Sequence, residues 1–62
     1  MKGNNIRLAR MQLYLTQAEF AKIIGVHTIV VSQWERDVRN PSLRHQKQII
    51  DLCKQNGIEI NF

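Results

Sequence analysis

Sixty-two residues carry nine Lys or Arg against five Asp or Glu, a formal net charge of +4, with a sequence pI near 9.9. That length predicts one domain, since a domain usually takes roughly 100–200 residues, and so short a chain buries only about 60% of its unfolded surface. An enclosed substrate cavity beside a core is excluded on those grounds, so no enzyme is expected, while 44% hydrophobic residues match a globular fold and not a disordered tail.

From Ile6 the apolar positions run Ile6, Ala9 and Leu13, the spacing of a short helix capped by Asn4 or Asn5. Tyr14-Leu15-Thr16 interrupts it. Thr16 followed three residues later by Glu19 is a capping box, in which hydroxyl and carboxylate each satisfy an end-of-helix N–H. The second helix is expected to bury Phe20, Ala21 and Ile24, with Ala18 a further candidate, and to stop at Gly25, where the absence of a Cβ permits a left-handed residue. The next segment, His27 to Arg36, contains the β-branched run Ile29-Val30-Val31, which local propensity scores as strand. Helix is the better reading. It gathers Val26, Val30, Val31 and Trp34 on one face and leaves Thr28, Ile29, Ser32, Gln33 and Arg36 on the other. Asp37 to Ser42 has the composition of a loop, and Ser42 caps a last helix marked by Leu43, Ile49, Ile50 and Cys53 and ending at Asn56-Gly57. Ile58-Glu59-Ile60-Asn61-Phe62 alternates apolar and polar residues in the pattern of a short strand.

Two helices joined by a short glycine turn form a helix-turn-helix, a spacing that many helical hairpins share. More specific are Leu15-Thr16-Gln17-Ala18-Glu19-Phe20-Ala21-Lys22, then Gly25-Val26, then Val31-Ser32-Gln33-Trp34-Glu35-Arg36, then Asn40-Pro41-Ser42. Together they resemble the phage repressor and Cro-type helix-turn-helix family, over residues 6 to about 50. The resemblance implies an all-α, lambda-repressor-like DNA-binding domain: a bundle of four or five short helices, with the helix-turn-helix at about 16–36. A short extended tail at 58–62 completes the expected chain.

The resemblance also assigns sites. The start of the second helix faces the DNA backbone, which places Thr16 and Gln17 at a phosphate; a helix start is a ready anion site, although Thr16 also reads simply as a cap and Gln17 as a solvated residue. The third helix resembles the family's recognition helix, whose N-terminal residues reach base edges in the major groove, and His27, Thr28, Ile29, Ser32 and Gln33 match those positions. Gln33 is suited to pair with adenine N6 and N7, and Ile29 to meet a thymine methyl or, alternatively, to pack inside. His27 is open between cap, phosphate donor and base contact. Arg36, Arg39, Asn40 and Arg44, leaving that helix, match backbone contacts. Arg10 and Glu35 align with a partly buried structural ion pair. Tyr14 and Asp37 depart from the family, standing where it commonly has glycine, and both positions then need a left-handed residue that glycine accepts most readily.

Ile58, Ile60 and Phe62 either join a second subunit through the tail or close the end of the monomer core. Two copies about a two-fold axis read half-sites about 34 Å apart, so a homodimer on a palindromic operator of double-stranded DNA is expected. His27, His45 and Cys53 have no zinc spacing, so neither metal nor cofactor is expected, nor a small-molecule ligand. Cys53 reads as a small core hydrophobe and His45 as solvated. A lone cysteine forms no internal disulfide, no apolar run approaches the roughly 18–20 residues of a membrane span, and Met1-Lys2-Gly3-Asn4-Asn5 lacks an apolar signal core, which together suggest the cytoplasm. The rival readings are an antitoxin or other protein-binding module that binds DNA secondarily, and, more distantly, a membrane-surface peptide.

Overall fold

The computed structural model describes residues 2–60, and among them it holds four helices and no strand: α1 (Gly3–Gln12), α2 (Gln17–Ile24), α3 (Thr28–Glu35) and α4 (Leu43–Gln55). The all-α helix-turn-helix bundle is thus the fold, with α2 and α3 as the motif. The helix α3 packs against α2 and α1, and α4 packs against α2. Ile6 and Ala9 of α1, Phe20, Ala21 and Ile24 of α2, Val31 and Trp34 of α3, and Ile49 and Cys53 of α4 share one core. A large side chain there, such as the fully enclosed Phe20 or Ile49, contributes about 1.5–3 kcal/mol relative to exposure. Burial also pushes the Cys53 thiol up from its ordinary pKa, which keeps it protonated and unreactive. The β-branched run winds as helix because Val31 and Trp34 are three residues apart. On a helix they enter the core together, whereas a strand would send them to opposite faces.

Every helix stops at a left-handed residue: Tyr14 (φ 57°), Gly25 (φ 89°), Asp37 (φ 58°) and Gly57 (φ 69°). The next N–H then reaches back over the last turn, from Leu15 to the Arg10 carbonyl (3.2 Å), Val26 to Ala21 (3.0 Å), Val38 to Gln33 (3.0 Å) and Ile58 to Cys53 (2.8 Å). These bonds satisfy carbonyls that a helix end leaves open. Tyr14 therefore keeps the turn geometry that glycine would give, at the strain of a Cβ in the left-handed region, about 1–2 kcal/mol. Its side chain is 94% exposed and packs on nothing that would offset this. Tyr14→Gly is accordingly expected to raise the melting temperature by a few degrees, the relief exceeding glycine's loosening of the unfolded chain by somewhat under about 1 kcal/mol. Thermal unfolding followed by circular dichroism checks the sign.

Five expectations need correction. The first helix starts at Gly3, and its N-cap residue Lys2 supplies no side-chain bond, so Asn4 and Asn5 lie inside the helix instead of capping it. The missing acceptor comes from a distance: Asp37 Oδ1 accepts from the Gly3 N–H at 2.8 Å. Ala18 is exposed, because it lies on the first turn of α2, away from the Phe20–Ile24 face. Leu43 is 82% exposed, since the core-facing line of α4 begins only at Ile49 and continues to Cys53. His45 is half-buried, not solvated, its ring 5.5 Å from that of Trp34 and tilted by 47°. In the tail, Ile58 and Ile60 form no strand and pack against the core of their own chain; Phe62 lies outside the described residues.

Candidate nucleic-acid interface

The short turn at Gly25 and Val26 sets α3 across α2 with one face inside and one outside. Val31 and Trp34 take up the inner face. On the outer face Thr28 is exposed and Ile29 is 60% exposed, so the alternative of an inward-packed isoleucine is excluded. His27 is exposed at the N-cap and makes no side-chain capping bond, which leaves its ring free of the helix and removes the cap from its three readings. Ser32 and Gln33 are half-buried. Gln33 stands less open than its place on the polar face suggests: its Oε1 is enclosed without a donor among the described residues. Its backbone carbonyl takes part in closing the end of α3, accepting from the Val38 and Arg39 N–H groups at 3.0 and 3.3 Å.

The start of α2 is built by its cap. Thr16 Oγ1 accepts from the Glu19 N–H at 3.1 Å, and Glu19 Oε1 accepts from the Thr16 N–H at 2.9 Å. Hydrogen bonds from the Thr16 backbone and then from its hydroxyl hold the Glu19 carboxyl below its ordinary pKa of 4.5. The remaining first-turn N–H groups have no acceptor within the helix and point outward with the positive end of the helix dipole. Gln17, the first residue of α2, is half-buried, and its Nε2 donates to Glu35 Oε1 at 3.1 Å.

Glu35 is also the acceptor for Arg10: Nε donates to Oε2 at 2.7 Å and Nη2 to Oε1 at 3.1 Å. The third direction of the same guanidinium is used by the Leu15 carbonyl, 2.9 Å from Nη1. With side chains 15% and 5% exposed, the pair is largely shielded from water, and its bidentate geometry suits Arg and would not suit Lys. Arg10 thereby fastens α1, the turn after it and the end of α3 at one point.

Arg36, Arg39, Asn40 and Arg44 are all exposed, and the three arginines make no ion pair among the described residues. The neighbouring carboxylate, Asp37, is turned toward the start of α1 instead. A groove of about 290 Å³ runs from Val30 and Trp34 to Arg39, Asn40 and Ser42, carrying this basic surface past the end of α3 onto the start of α4. At that start Ser42 Oγ accepts from the His45 N–H at 3.3 Å. Among the described residues no helix is long and apolar enough to cross a membrane, and no three His, Cys, Asp or Glu stand where they would hold a metal ion. The sequence reading missed the tie from Gln17 to Glu35 and the clasp from Asp37 to Gly3. Only the acid at a glycine position hinted at the second.

The sequence pattern of the helix-turn-helix family matches residues 6–58, a stretch that takes in all of α2, α3 and α4. The chain belongs to this helix-turn-helix family. Repressor protein C2 of Salmonella phage P22 is similar, with 38% identity over 42 residues. The match covers 68% of this chain but only 19% of that protein, so the chain corresponds to about a fifth of the phage repressor's length. Both findings place it with the phage repressor and Cro-type branch of the family, whose members are DNA-binding transcriptional regulators. In the helix-turn-helix α3 is the second helix, and the exposed His27, Thr28 and Ile29 lie at its N-terminal end.

Proposed function

We propose that this helix-turn-helix chain is a sequence-specific repressor of the Cro-like kind, binding a palindromic operator in double-stranded DNA as a homodimer and blocking a promoter sterically. The observation that carries the reading is Ile29: an isoleucine 60% exposed at the outer face of the recognition helix, beside the exposed His27 and Thr28. Left in water it is wasted apolar surface, and against a thymine methyl in the major groove it becomes a base contact. Thr28 and His27 enter the groove beside it, with Ser32 on the flank. Gln33 turns its enclosed oxygen outward to accept from adenine N6 while its amide donates to N7, a pairing worth about 1–3 kcal/mol of discrimination. Thr16 and Gln17 meet one phosphate at the start of α2, and Arg36, Arg39, Asn40 and Arg44 meet the next strand, positioning without specifying. The chain acts by occupancy and carries out no chemistry. Ile58, Ile60 and Phe62 make the tail the dimer contact in this reading, beyond the packing of Ile58 and Ile60 on the monomer.

Selection from random duplexes tests it. One half-site pair with two-fold symmetry is expected, bound far more tightly than bulk DNA and with affinity falling steeply with salt. Arg39→Ala should weaken every duplex alike and reduce the salt slope by about one, whereas a Gln33 substitution should change the preferred base at one position. Weak, sequence-indifferent binding beside a tight protein partner would instead establish the antitoxin-like module.

A further inference from the structure

The two helices of the motif are joined covalently at one end only, where the turn at Gly25 and Val26 connects the end of α2 to the start of α3. At the opposite end the first residue of α2, Gln17, meets the last residue of α3, Glu35, through Nε2 and Oε1 at 3.1 Å. We propose that Gln17 is a positioning residue for DNA recognition, closing the open end of the helix-turn-helix so that the phosphate-facing start of α2 and the base-facing side of α3 move as one body. The inference rests on the DNA-binding reading and adds a role that phosphate contact alone does not give.

The chemistry of the partner fixes how Gln17 is held. A carboxylate only accepts, so the amide must present nitrogen to Glu35, and of its two N–H groups one is engaged there and one stays available to an incoming phosphate oxygen. Glu35 would repel that phosphate if it stood alone. Arg10, bonded to both of its oxygens, offsets the charge, so the carboxylate serves as an anchor without opposing the anion. A phosphate caught at the start of α2 is thereby registered against the end of the recognition helix through a single side chain. A phosphate contact without the clasp would strengthen binding to all DNA equally; with it, the contact also sets the angle at which Thr28 and Ile29 meet the bases.

The test compares affinity for the selected operator duplex with affinity for an unrelated duplex, using proteins whose circular dichroism matches the parent. Gln17→Met, which keeps the stem and removes the amide, should lower the preference for the operator about tenfold, while Arg39→Ala lowers both affinities and leaves the preference alone. Gln17→Lys, which restores a donor to Glu35, should recover most of the preference. An unchanged preference in Gln17→Met, or no recovery in Gln17→Lys, overturns the positioning role and leaves Gln17 as a phosphate contact. Should the parent protein itself prefer no sequence, the DNA reading fails instead. The side-chain amide signals of Gln17 in the free protein then decide the clasp, since Glu35→Gln must shift them if it exists.

Discussion

Arg10→Met is expected to leave little folded protein at room temperature. A chain of this length holds roughly 3–9 kcal/mol in all, at about 0.05–0.15 kcal/mol per residue. Removing one partner of a shielded ion pair costs about 3–5 kcal/mol, because the other charge stays in place without its neutralising partner. Here the loss is larger than one pair bond. The Arg10 guanidinium makes three hydrogen bonds, two to Glu35 and one to the Leu15 carbonyl, and the Glu35 side chain that loses them is only 5% exposed in the parent. Gln17 remains as its sole bonded donor among the described residues. The cost therefore lies mainly in stranding Glu35. That makes a second variant decisive: Arg10→Met with Glu35→Met, which removes both charges and fills the space with apolar atoms, should regain most of the lost melting temperature. Calorimetry or circular dichroism on the parent, the single and the double variant reads this directly. A single variant that melts like the parent would refute the account, and a double variant as unstable as the single would move the cost from the stranded charge to packing.

The parts of this fold that a reader of the sequence can find are those whose cause is local. Thr16 and Glu19 are three residues apart, Ser42 stands one residue before its helix, and Gly25 ends α2 by its own lack of a Cβ. Even the β-branched run at Ile29 to Val31 is legible once the three-residue step from Val31 to Trp34 outweighs strand propensity. What escapes has its cause elsewhere in the chain. The start of α1 is not legible locally because its cap, Asp37, is 34 residues away, and no pattern around Asn4 and Asn5 reveals that acceptor. Leu43 looked like the first core residue of α4 because periodicity shows which face a residue shares and not how far the neighbouring helix extends. His45 lies against Trp34 for the same kind of reason: the loop between α3 and α4 returns the chain to α3, a path that composition does not specify. On the outer face of α3, Thr28 and Ile29 are open as their helical face suggests. Gln33 on that same face is partly closed over, its Oε1 enclosed without a donor among the described residues.

The second large effect falls at a residue that helix rules would call improvable. Gly3 lies in the first turn of α1, where alanine ordinarily stabilises by about 0.5–1 kcal/mol. Gly3→Ala is nevertheless expected to destabilise, by about 1–3 kcal/mol or more. A Cβ placed there would run into the Trp34 carbonyl oxygen and stand 2.6 Å from the Glu35 carbonyl oxygen, both of them backbone atoms that no rotamer change can move. The start of α1 would have to lift off the end of α3, and lifting it breaks the 2.8 Å bond from the Gly3 N–H to Asp37 Oδ1, a side-chain cap that the N-cap residue Lys2 does not supply. The displaced residue on the other side is Glu35, whose side chain holds Arg10, so the strain reaches the same junction from the backbone. A melting temperature lower by about 5 °C or more is the expected result, at roughly 4–8 °C per kcal/mol for a domain of this size. Asp37→Gly separates the clash from the lost cap. It deletes the acceptor, worth about 0.5–2 kcal/mol, but relieves a left-handed aspartate at φ 58°, so it should shift the melting temperature much less than Gly3→Ala. If instead Gly3→Ala melts at or above the parent, the close approach of α1 to the carbonyls of Trp34 and Glu35 is not what seats the first helix.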